Sequence, residues 1–96
     1  MFIQVINFRS SQLEEGRKLS DEYRARTEGK RTARRALLTQ DREDPASLFN
    51  IVFFDSYEAA MQNSQLPETQ ELAGKLAAIA EGPPTFYNLE VIADFE

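Results

Sequence analysis

The 96-residue sequence contains no cysteine, no histidine and no tryptophan. Without cysteine the chain can form no disulfide, no thiolate nucleophile and no thiolate metal site. Without histidine it lacks the side chain that most often serves as general base, zinc ligand or haem ligand. Glycine-rich phosphate loops, clustered metal ligands and Ser-His-Asp sets are also missing. These absences predict a protein that needs no cofactor.

The length of the chain predicts one domain, residues 1–96. A monomer of this size buries only about 60–65% of its unfolded surface, so association with a second copy would add stability. The first apolar stretch, Phe2 to Phe8, is short, is interrupted by Gln4 and Asn7, and has no basic start. It therefore predicts neither a signal peptide nor a membrane span, and we expect a cytoplasmic protein.

The net charge of −5 is spread unevenly along the chain. Residues 1–42 carry ten Lys/Arg against six Asp/Glu, whereas residues 43–96 carry one against ten. The basic residues between Arg24 and Arg35 have two interpretations. They form either a phosphate-binding surface or an ordinary solvated helix end and strand. Because the chain as a whole is acidic, the second interpretation is favoured.

The run from Ser47 to Asn63, SLFNIVFFDSYEAAMQN, organises the predicted fold. Its first half is rich in β-branched and aromatic residues and too short for an independent helix, which predicts a strand. The two faces of that strand carry Phe49, Ile51 and Phe53 on one side and Leu48, Asn50, Val52 and Phe54 on the other. Both faces are largely apolar, so each must pack against another layer of the protein or against a partner. Because a two-layer domain covers only one face with its own helices, we expect a homodimer formed through the face that bears Phe49, Ile51 and Phe53.

The other elements follow from periodicity and turn residues. The pattern predicts strands over Phe2–Arg9, Arg31–Gln40 and Phe86–Phe95, and helices from Ser11 to about Gly29, from Tyr57 to Asn63, and onward from Pro67. Ser11 with Glu14 and Asp55 with Glu58 have capping-box spacing. Gly16 lies on the expected sheet-facing side of its helix and would allow close approach to a strand.

The resulting order, βαββαβ with its second helical region split at Pro67, predicts an α+β ferredoxin-like antiparallel sheet with helices on one face. RNA-recognition modules share this order, and they expose sheet aromatics within a basic, glycine-containing signature. The central strand here lacks those glycines and that basic residue, so we expect no nucleic-acid partner.

Three stretches, NIVFFDSYEAAMQN, LPETQELAGKL and PPTFYNLEV, resemble the antibiotic-biosynthesis-monooxygenase-like group of dimeric α/β barrels. In that group the strand commonly ends in Trp, followed by an acidic or small residue and a short helix containing Glu-Ala. The likeness covers nearly the whole chain and lies in element order and small motifs. It implies a homodimer whose two sheets meet face to face, and a pocket in each subunit between sheet and helices.

The group includes cofactor-free oxygenases of polycyclic aromatic substrates and haem-degrading enzymes. In the oxygenases, an Asn on the central strand and a Trp four residues later lie in the pocket. Asn50 matches that Asn, whereas Phe54 replaces the Trp, so the indole donor is lost. Asn7 matches an Asn of the haem degraders, but their haem-ligating His and pocket Trp have no counterpart. The resemblance therefore favours the oxygenases.

Asn50 is the candidate catalytic residue because it is an amide in an otherwise apolar row. A buried amide without partners costs about 1–3 kcal/mol, so a structural bond to a helix or loop is the alternative. Tyrosines are candidate donors to a substrate oxygen and Arg35 is a candidate for binding a phenolate or carboxylate, with core packing and solvent exposure as alternatives. The full set of candidate substrate-binding residues is Asn7, Arg35, Phe54, Tyr57, Met61 and Tyr87.

An aromatic substrate that activates oxygen through its own electron-rich anion needs little from a protein. It requires an apolar pocket, one or two hydrogen-bond donors and exclusion of water. The sequence can supply these, which predicts a cofactor-independent monooxygenase of an aromatic or polyketide-type small molecule. The alternative is a non-catalytic homodimeric module that binds a ligand or a partner.

The missing histidine, cysteine and nucleotide-binding loop lead to a first prediction. Purified protein should carry no haem, flavin or metal at stoichiometric occupancy. Absorbance spectroscopy and elemental analysis check this directly. A visible absorbance band, or one equivalent of a transition metal per chain, would contradict it.

Overall fold

Four strands and three helices make up the computed structural model, which describes residues 1–96. The elements in chain order are β1 (Phe2–Arg9), α1 (Leu13–Arg26), β2 (Arg35–Gln40), β3 (Ser47–Phe54), α2 (Tyr57–Ser64), α3 (Pro67–Ile79) and β4 (Thr85–Glu90). The predicted order is confirmed, including the division of the second helical region at Pro67. Proline suits the first turn of α3 because its missing N–H would have no partner there.

The strands form one antiparallel sheet in the order β2-β3-β1-β4. β1 and β3 are the central pair, aligned so that Phe2 lies opposite Phe54 and Arg9 opposite Ser47. β2 pairs with β3 as an antiparallel hairpin, and β4 pairs with the free side of β1. The ferredoxin-like α+β prediction is confirmed.

Strand alternation and this register divide the side chains between two faces. The first face carries the buried side chains Phe2, Leu48 and Phe54 and packs beneath the helices. The second face carries Ile3, Val5, Leu37, Phe49, Ile51, Phe53, Tyr87 and Leu89. On this second face Tyr87 is 50% exposed and Leu89 is 45% exposed. It is a broad apolar surface without a helix over it.

The aromatic core joins α2 to one end of the sheet. Phe2 and Phe54 are each 2% exposed and lie 6.4 Å apart between ring centroids, with Ala60 of α2 packed against them. Burying each phenylalanine contributes about 1.5–3 kcal/mol. Tyr57 approaches Phe2 edge-on at 5.5 Å. These contacts hold the start of α2 against β1 and β3.

Helices α1 and α3 pack on one another above the sheet. No Cα atom of either helix lies within 8 Å of a strand Cα, whereas α2 does approach β1 and β3 this closely. The nearest side-chain neighbour of Gly16 is Ile79 of α3, so the prediction that Gly16 approaches a strand is wrong. None of the three helices combines the length and the apolar content needed to cross a bilayer.

The helix caps differ from the predicted ones. Helix α1 begins after Gln12, with the hydroxyl of Ser10 accepting the Gln12 N–H at 3.0 Å, so the Ser11 capping box is wrong. At α2 the cap is Ser56, whose hydroxyl accepts the Ala59 N–H at 3.1 Å. Asp55 does not serve as the cap because its carboxylate binds a guanidinium from the loop before β2.

Two strands are shorter than predicted because their partners end. β4 ends at Glu90, where Phe2 of β1 is its last partner, and only one further bond, from the Val91 N–H to the Met1 carbonyl, continues the pairing. β2 begins at Arg35, which pairs with Phe53 of β3. Earlier residues have no partner because β3 ends one residue later, at Phe54. Helix α1 likewise ends at Arg26, and a turn carries the chain to Gly29 at φ 84°.

The glycines of α1 and its following turn yield a paired prediction. A Cβ added at Gly16 would meet Ile79 Cδ1 at 3.8 Å, an ordinary contact, so Gly16→Ala should raise the free energy of unfolding by about 0.5–1 kcal/mol through helix propensity. Gly29→Ala places a Cβ at positive φ and should lower it by about 1 kcal/mol. Urea denaturation of both variants measures the two changes. Destabilisation by Gly16→Ala would show that α1 and α3 pack more closely than described.

Candidate functional site

A cavity of about 650 Å³ lies between α1 and the strands β2 and β3. This volume is within the range of small-molecule sites, about 300–1,000 Å³. The sheet contributes Gln4, Ile6, Arg35, Ala36, Leu38, Thr39, Gln40, Asn50, Val52 and Phe54, and α1 contributes Leu13, Arg17, Ser20, Asp21, Tyr23 and Arg24. The loop before β2 and the other two helices complete the wall with Arg31, Ala33, Arg34, Asn63 and Leu72.

Asn50 lies in the middle of the sheet floor of this cavity. Its cross-strand neighbours are Ile6 on β1 and Leu38 on β2, and neither side chain can form a hydrogen bond. The half-buried Asn50 amide makes no hydrogen bond to another group of the protein, and neither of its polar atoms is sealed from the cavity. The alternative of a structural bond to a helix or loop is therefore not what the structure contains. The amide is available to a bound molecule.

Asn7 lies on the opposite face of the sheet. Its amide donates to the Ser47 hydroxyl at 3.1 Å and to the Leu48 carbonyl at 2.9 Å. These bonds join β1 to β3 near the end of both strands, and Asn7 does not line the cavity. Its observed contacts are structural.

Three of the seven predicted site residues, Arg35, Asn50 and Phe54, border the cavity. Arg35 does so from the edge strand β2, where it pairs with Phe53 on the uncovered face, so only Asn50 and Phe54 belong to the floor. Tyr57 and Met61 lie on α2, 49% and 43% exposed, outside the wall. Tyr87 lies opposite Val5 on the uncovered face. The structure thus places none of these three residues in the cavity wall: α2 borders the cavity through Asn63 and not through Tyr57 or Met61, and Tyr87 lies on the face away from the helices.

A polar network behind the cavity was not expected from the sequence. The Tyr23 hydroxyl lies 2.8 Å from the Thr69 hydroxyl and accepts a hydrogen bond from the Asn63 amide at 3.2 Å. The Asn63 carbonyl oxygen accepts the Thr32 N–H at 3.2 Å. Asn63 is 8% exposed, so these bonds satisfy an amide that would otherwise be buried without partners. The network joins all three helices and the loop before β2.

The cavity wall is rich in arginine. Five of its residues are arginines, Arg17, Arg24, Arg31, Arg34 and Arg35, and its only carboxylate is Asp21. Part of the basic cluster in the sequence thus surrounds a cavity, a position that the solvated-face interpretation did not anticipate. No sequence signal shows this convergence, because the five residues come from a helix, a loop and a strand.

The five arginines differ in their partners. Arg34 Nε lies 2.9 and 3.0 Å from the two carboxylate oxygens of Asp55, and this pairing holds the pKa of Asp55 below its usual value. Arg31 donates to the Arg24 carbonyl at 2.9 Å and to the Thr27 hydroxyl at 3.0 Å. Neither Arg24 nor Arg35 has a carboxylate within 4.0 Å of its guanidinium.

Metal ligands do not gather anywhere in the chain. No group of three or more Asp or Glu side chains, the only acidic ligands that the sequence offers, lies close enough to hold a metal ion. The cavity offers hydrogen bonding by Asn50 and by further polar residues of the wall, charge from arginine and Asp21, and contact with apolar residues of the floor.

No protein-family model matches the sequence, and no curated protein is significantly similar to it. Solved structures do share its fold. A protein named antibiotic biosynthesis monooxygenase superimposes with a TM-score of 0.79 at 14% identity, over 97% of this chain and 100% of that one. SnoaB, a cofactor-independent oxygenase from Streptomyces nogalater, gives 0.82 at 15% identity, over 97% and 94%.

The same fold occurs in a conserved protein from Methanosarcina mazei, with a TM-score of 0.79 at 13% identity, over 93% of this chain and 91% of that one. Identities this low establish the fold and not the activity. The resemblance to antibiotic biosynthesis monooxygenases is confirmed at that level, over nearly the whole chain.

The contrast between the two asparagines leads to a stability prediction. Asn7→Ala removes two hydrogen bonds and should lower the free energy of unfolding by about 1–2 kcal/mol. Asn50→Ala removes none and should change it by less than about 0.5 kcal/mol. Both are strand residues, so the change in strand propensity is matched. Urea denaturation of the pair tests this, and a loss of about 2 kcal/mol in Asn50→Ala would show that the amide is structural.

Proposed function

We propose that this protein is a cofactor-independent monooxygenase that acts on an aromatic or polyketide-type small molecule in the cavity between sheet and helices. The observation that carries the proposal is the Asn50 amide, which has no hydrogen-bond partner in the protein and lies among Ile6, Leu38 and Val52 on the sheet floor. A floor selected for stability alone would carry an apolar residue there. The fold shared with a cofactor-independent oxygenase supports the same reading.

The proposed reaction uses dioxygen as oxidant and the substrate as reductant. A ring CH₂ beside a carbonyl or phenol loses a proton to solvent, and the resulting carbanion forms a C–O bond with O₂ to give a peroxide anion, which takes up a proton from solvent to become a hydroperoxide. Loss of water then leaves a ring carbonyl, so CH₂ and O₂ become C=O and H₂O. The deprotonated substrate, whose charge is shared with its carbonyl or phenol oxygen, and the peroxide anion both carry negative charge on oxygen, and a fixed amide N–H stabilises such charge.

Asn50 would supply that N–H from the floor of the cavity. Ile6, Leu38 and Val52 around it would contact the flat faces of the substrate. Phe54 contributes to the same wall while its ring also packs in the core against Phe2, so it shapes the cavity rather than acting as a donor.

A second candidate function is a non-catalytic module that binds a ligand. The observation that favours it is the scarcity of proton acceptors, because Asp21 is the only carboxylate in the cavity wall and the chain has no histidine. Such a module would bind the same flat molecules without consuming oxygen. Oxygen consumption therefore discriminates the two.

We further propose that a second copy of the chain covers the open face of the sheet. The centre of that face carries Ile3, Val5, Phe49, Ile51 and Phe53, all partly exposed in the monomer and without a charge among them. A partner of the same chain would meet it with an identical apolar surface, as in two-fold symmetric interfaces. Burial of both faces would supply the second layer that a sheet with helices on one side lacks.

The function is tested by measuring oxygen consumption with a panel of hydroxylated anthrones. The parent protein should consume one O₂ per ring carbonyl formed, and Asn50→Ala should lower kcat/KM by about 100-fold, as loss of an oxyanion donor does. Asn7→Ala is the matched control and should retain activity because its amide faces away from the cavity. Binding of the panel without oxygen consumption would favour the non-catalytic module.

The dimer is tested by light scattering at micromolar concentration. The measured mass should be about twice the 11.0 kDa of the chain. Ile51→Asp should dissociate or unfold the protein, because it places an unpaired charge in the proposed interface at a cost of several kcal/mol. Gln70→Asp adds the same charge at an exposed position on α3 and should leave the mass unchanged. A monomeric parent would overturn the proposal.

A further inference from the structure

We propose that residues 91–96, the β4 extension, add a strand to the β2 edge of a second copy of the chain. Each copy gives its own extension and receives that of its partner. The inference rests on the proposed dimer, and it names the segment that joins the two sheets and the edge to which that segment binds.

The β4 extension continues the apolar row of β4. The row begins on the uncovered face and proceeds at the spacing of two that a strand requires, with Tyr87, Leu89, Val91, Ala93 and Phe95. The sequence therefore predicts a strand that includes the extension, whereas the structure ends β4 before it. Beyond that point β1 offers only the Met1 carbonyl, which accepts the Val91 N–H at 3.1 Å. The extension thus has the pattern of a strand and lacks a partner strand in the monomer.

The β4 extension also exposes large apolar side chains. Ile92 is 97% exposed and Phe95 is 90% exposed, and every residue of β4 itself is exposed. Apolar groups gathered on one surface without cover indicate an interaction site. A strand adds most readily to an open sheet edge, whose backbone N–H and C=O groups have no partner. The extension is therefore suited to an edge of another sheet.

The start of β2 and the β4 extension lie at the same end of the sheet. Arg35 of β2 pairs with Phe53, and Phe53 pairs with Ile3. Ile3 pairs in turn with Leu89, so one row crosses all four strands. β2 and β4 form the two open edges, three strand spacings or about 14 Å apart, so the extension cannot continue β4 and also pair with β2 of its own chain. A second copy can supply the β2 edge.

Charge favours the partner's β2 edge over its β4 edge. Two identical sheets that meet face to face about a two-fold axis place β4 beside either β4 or β2 of the other copy. Residues 85–96 carry three acidic side chains and no basic one, whereas residues 30–42 carry five basic and one acidic. Of those five, Lys30 and Arg34 have a carboxylate partner within the chain and the other three have none. Like charges on adjacent strands destabilise a sheet, so β4 beside β2 is the favoured arrangement.

Strand direction favours the same arrangement. Each strand of the sheet is antiparallel to its neighbour, so β2 and β4 run in opposite directions. A two-fold axis parallel to the strands preserves these directions and places β4 of one copy over β2 of the other. The β4 extension then meets the partner's β2 as an antiparallel strand, the more stable of the two pairings.

The added strand would border the cavity. Ala36 and Leu38 lie on the helix-facing row of β2, opposite Val52 and Asn50, and both are exposed at the open edge of the cavity floor. A strand from the partner beside them would lengthen that floor. Each cavity would then contain residues of both copies.

Cysteine cross-linking tests the pairing directly, because the chain has no cysteine of its own. Ala93→Cys is combined in turn with Arg35→Cys, Leu37→Cys and Thr39→Cys, which follow one another along the uncovered face of β2. Directly opposite residues of antiparallel strands have Cα atoms about 4.5–5.5 Å apart, within the reach of a disulfide. Mild oxidation at micromolar concentration should therefore convert at least one double variant to a covalent dimer of twice the 11.0 kDa chain mass.

Two control variants identify other arrangements. Ala93→Cys combined with Gln70→Cys, an exposed position on α3, should form no covalent dimer. Covalent dimerisation of Ala93→Cys alone would place two β4 extensions side by side and would overturn the inference. A dimeric protein in which none of the three β2 variants forms the disulfide would also overturn it.

The strength of the dimer gives a second measurement. Phe95→Asp should raise the dissociation constant of the dimer at least about tenfold, because it replaces an interface aromatic by a charge. Asn88→Asp adds the same charge on the helix-facing row of β4 and should change that constant by less than about threefold. Sedimentation equilibrium measures both variants against the parent. Equal dissociation constants for the parent and Phe95→Asp would contradict the inference.

The outcomes separate this inference from the proposals that precede it. A dimer without the disulfide contradicts the inference and leaves the proposed dimer intact. A monomeric parent contradicts both. Oxygen consumption bears on the oxygenase alone, since the cross-linking and sedimentation measurements do not depend on it.

Discussion

The hydrogen bonds of one tyrosine hydroxyl hold the helical layer of this protein together. Tyr23 on α1 contacts Thr69 on α3 and Asn63 on α2, and Asn63 in turn accepts a bond from the loop before β2. No Cα atom of α1 or α3 lies within 8 Å of a strand Cα, so the contact between these helices and the sheet is made through side chains. Because the polar network joins the helices to one another, the gap beneath α1 can remain a cavity without the layer losing its arrangement.

The floor of the cavity departs from the composition that stability would favour. Asn50 lies between Ile6 and Leu38 across the strands and has no partner, whereas Asn7, in the same sheet, has two. Departures of this kind from local consistency are expected at functional sites. The core formed by Phe2 and Phe54 borders the cavity and supplies buried apolar surface that the cavity itself does not provide.

The arginines make the helix side of the cavity basic. Arg17 and Arg24 contribute positive charge from α1, across the cavity from the sheet floor that carries Asn50. An oxygenase that relies on the substrate's own anion gains from such a charge, since a nearby cation favours the ionised form of a bound phenol.

The local sequence pattern determined where most helices and strands lie, and pairing between distant strands decided which side chains face the cavity. The sequence by itself determined β1 to the residue, the start of α3 at Pro67, and the place of Asn50 in an apolar row, because propensity and a period of two are properties of a short segment. Tertiary structure decided that Tyr87 and Asn7 face away from the cavity, since the face a strand presents to the helices depends on its register with its neighbours. Tertiary structure also decided where β2 begins and where β4 ends, because a strand needs a partner. It decided that Ser56 caps α2 in place of Asp55, because Arg34 binds Asp55. It also brought Arg24, Arg31 and Arg35 around one cavity, a convergence of helix, loop and strand that no spacing along the chain encodes.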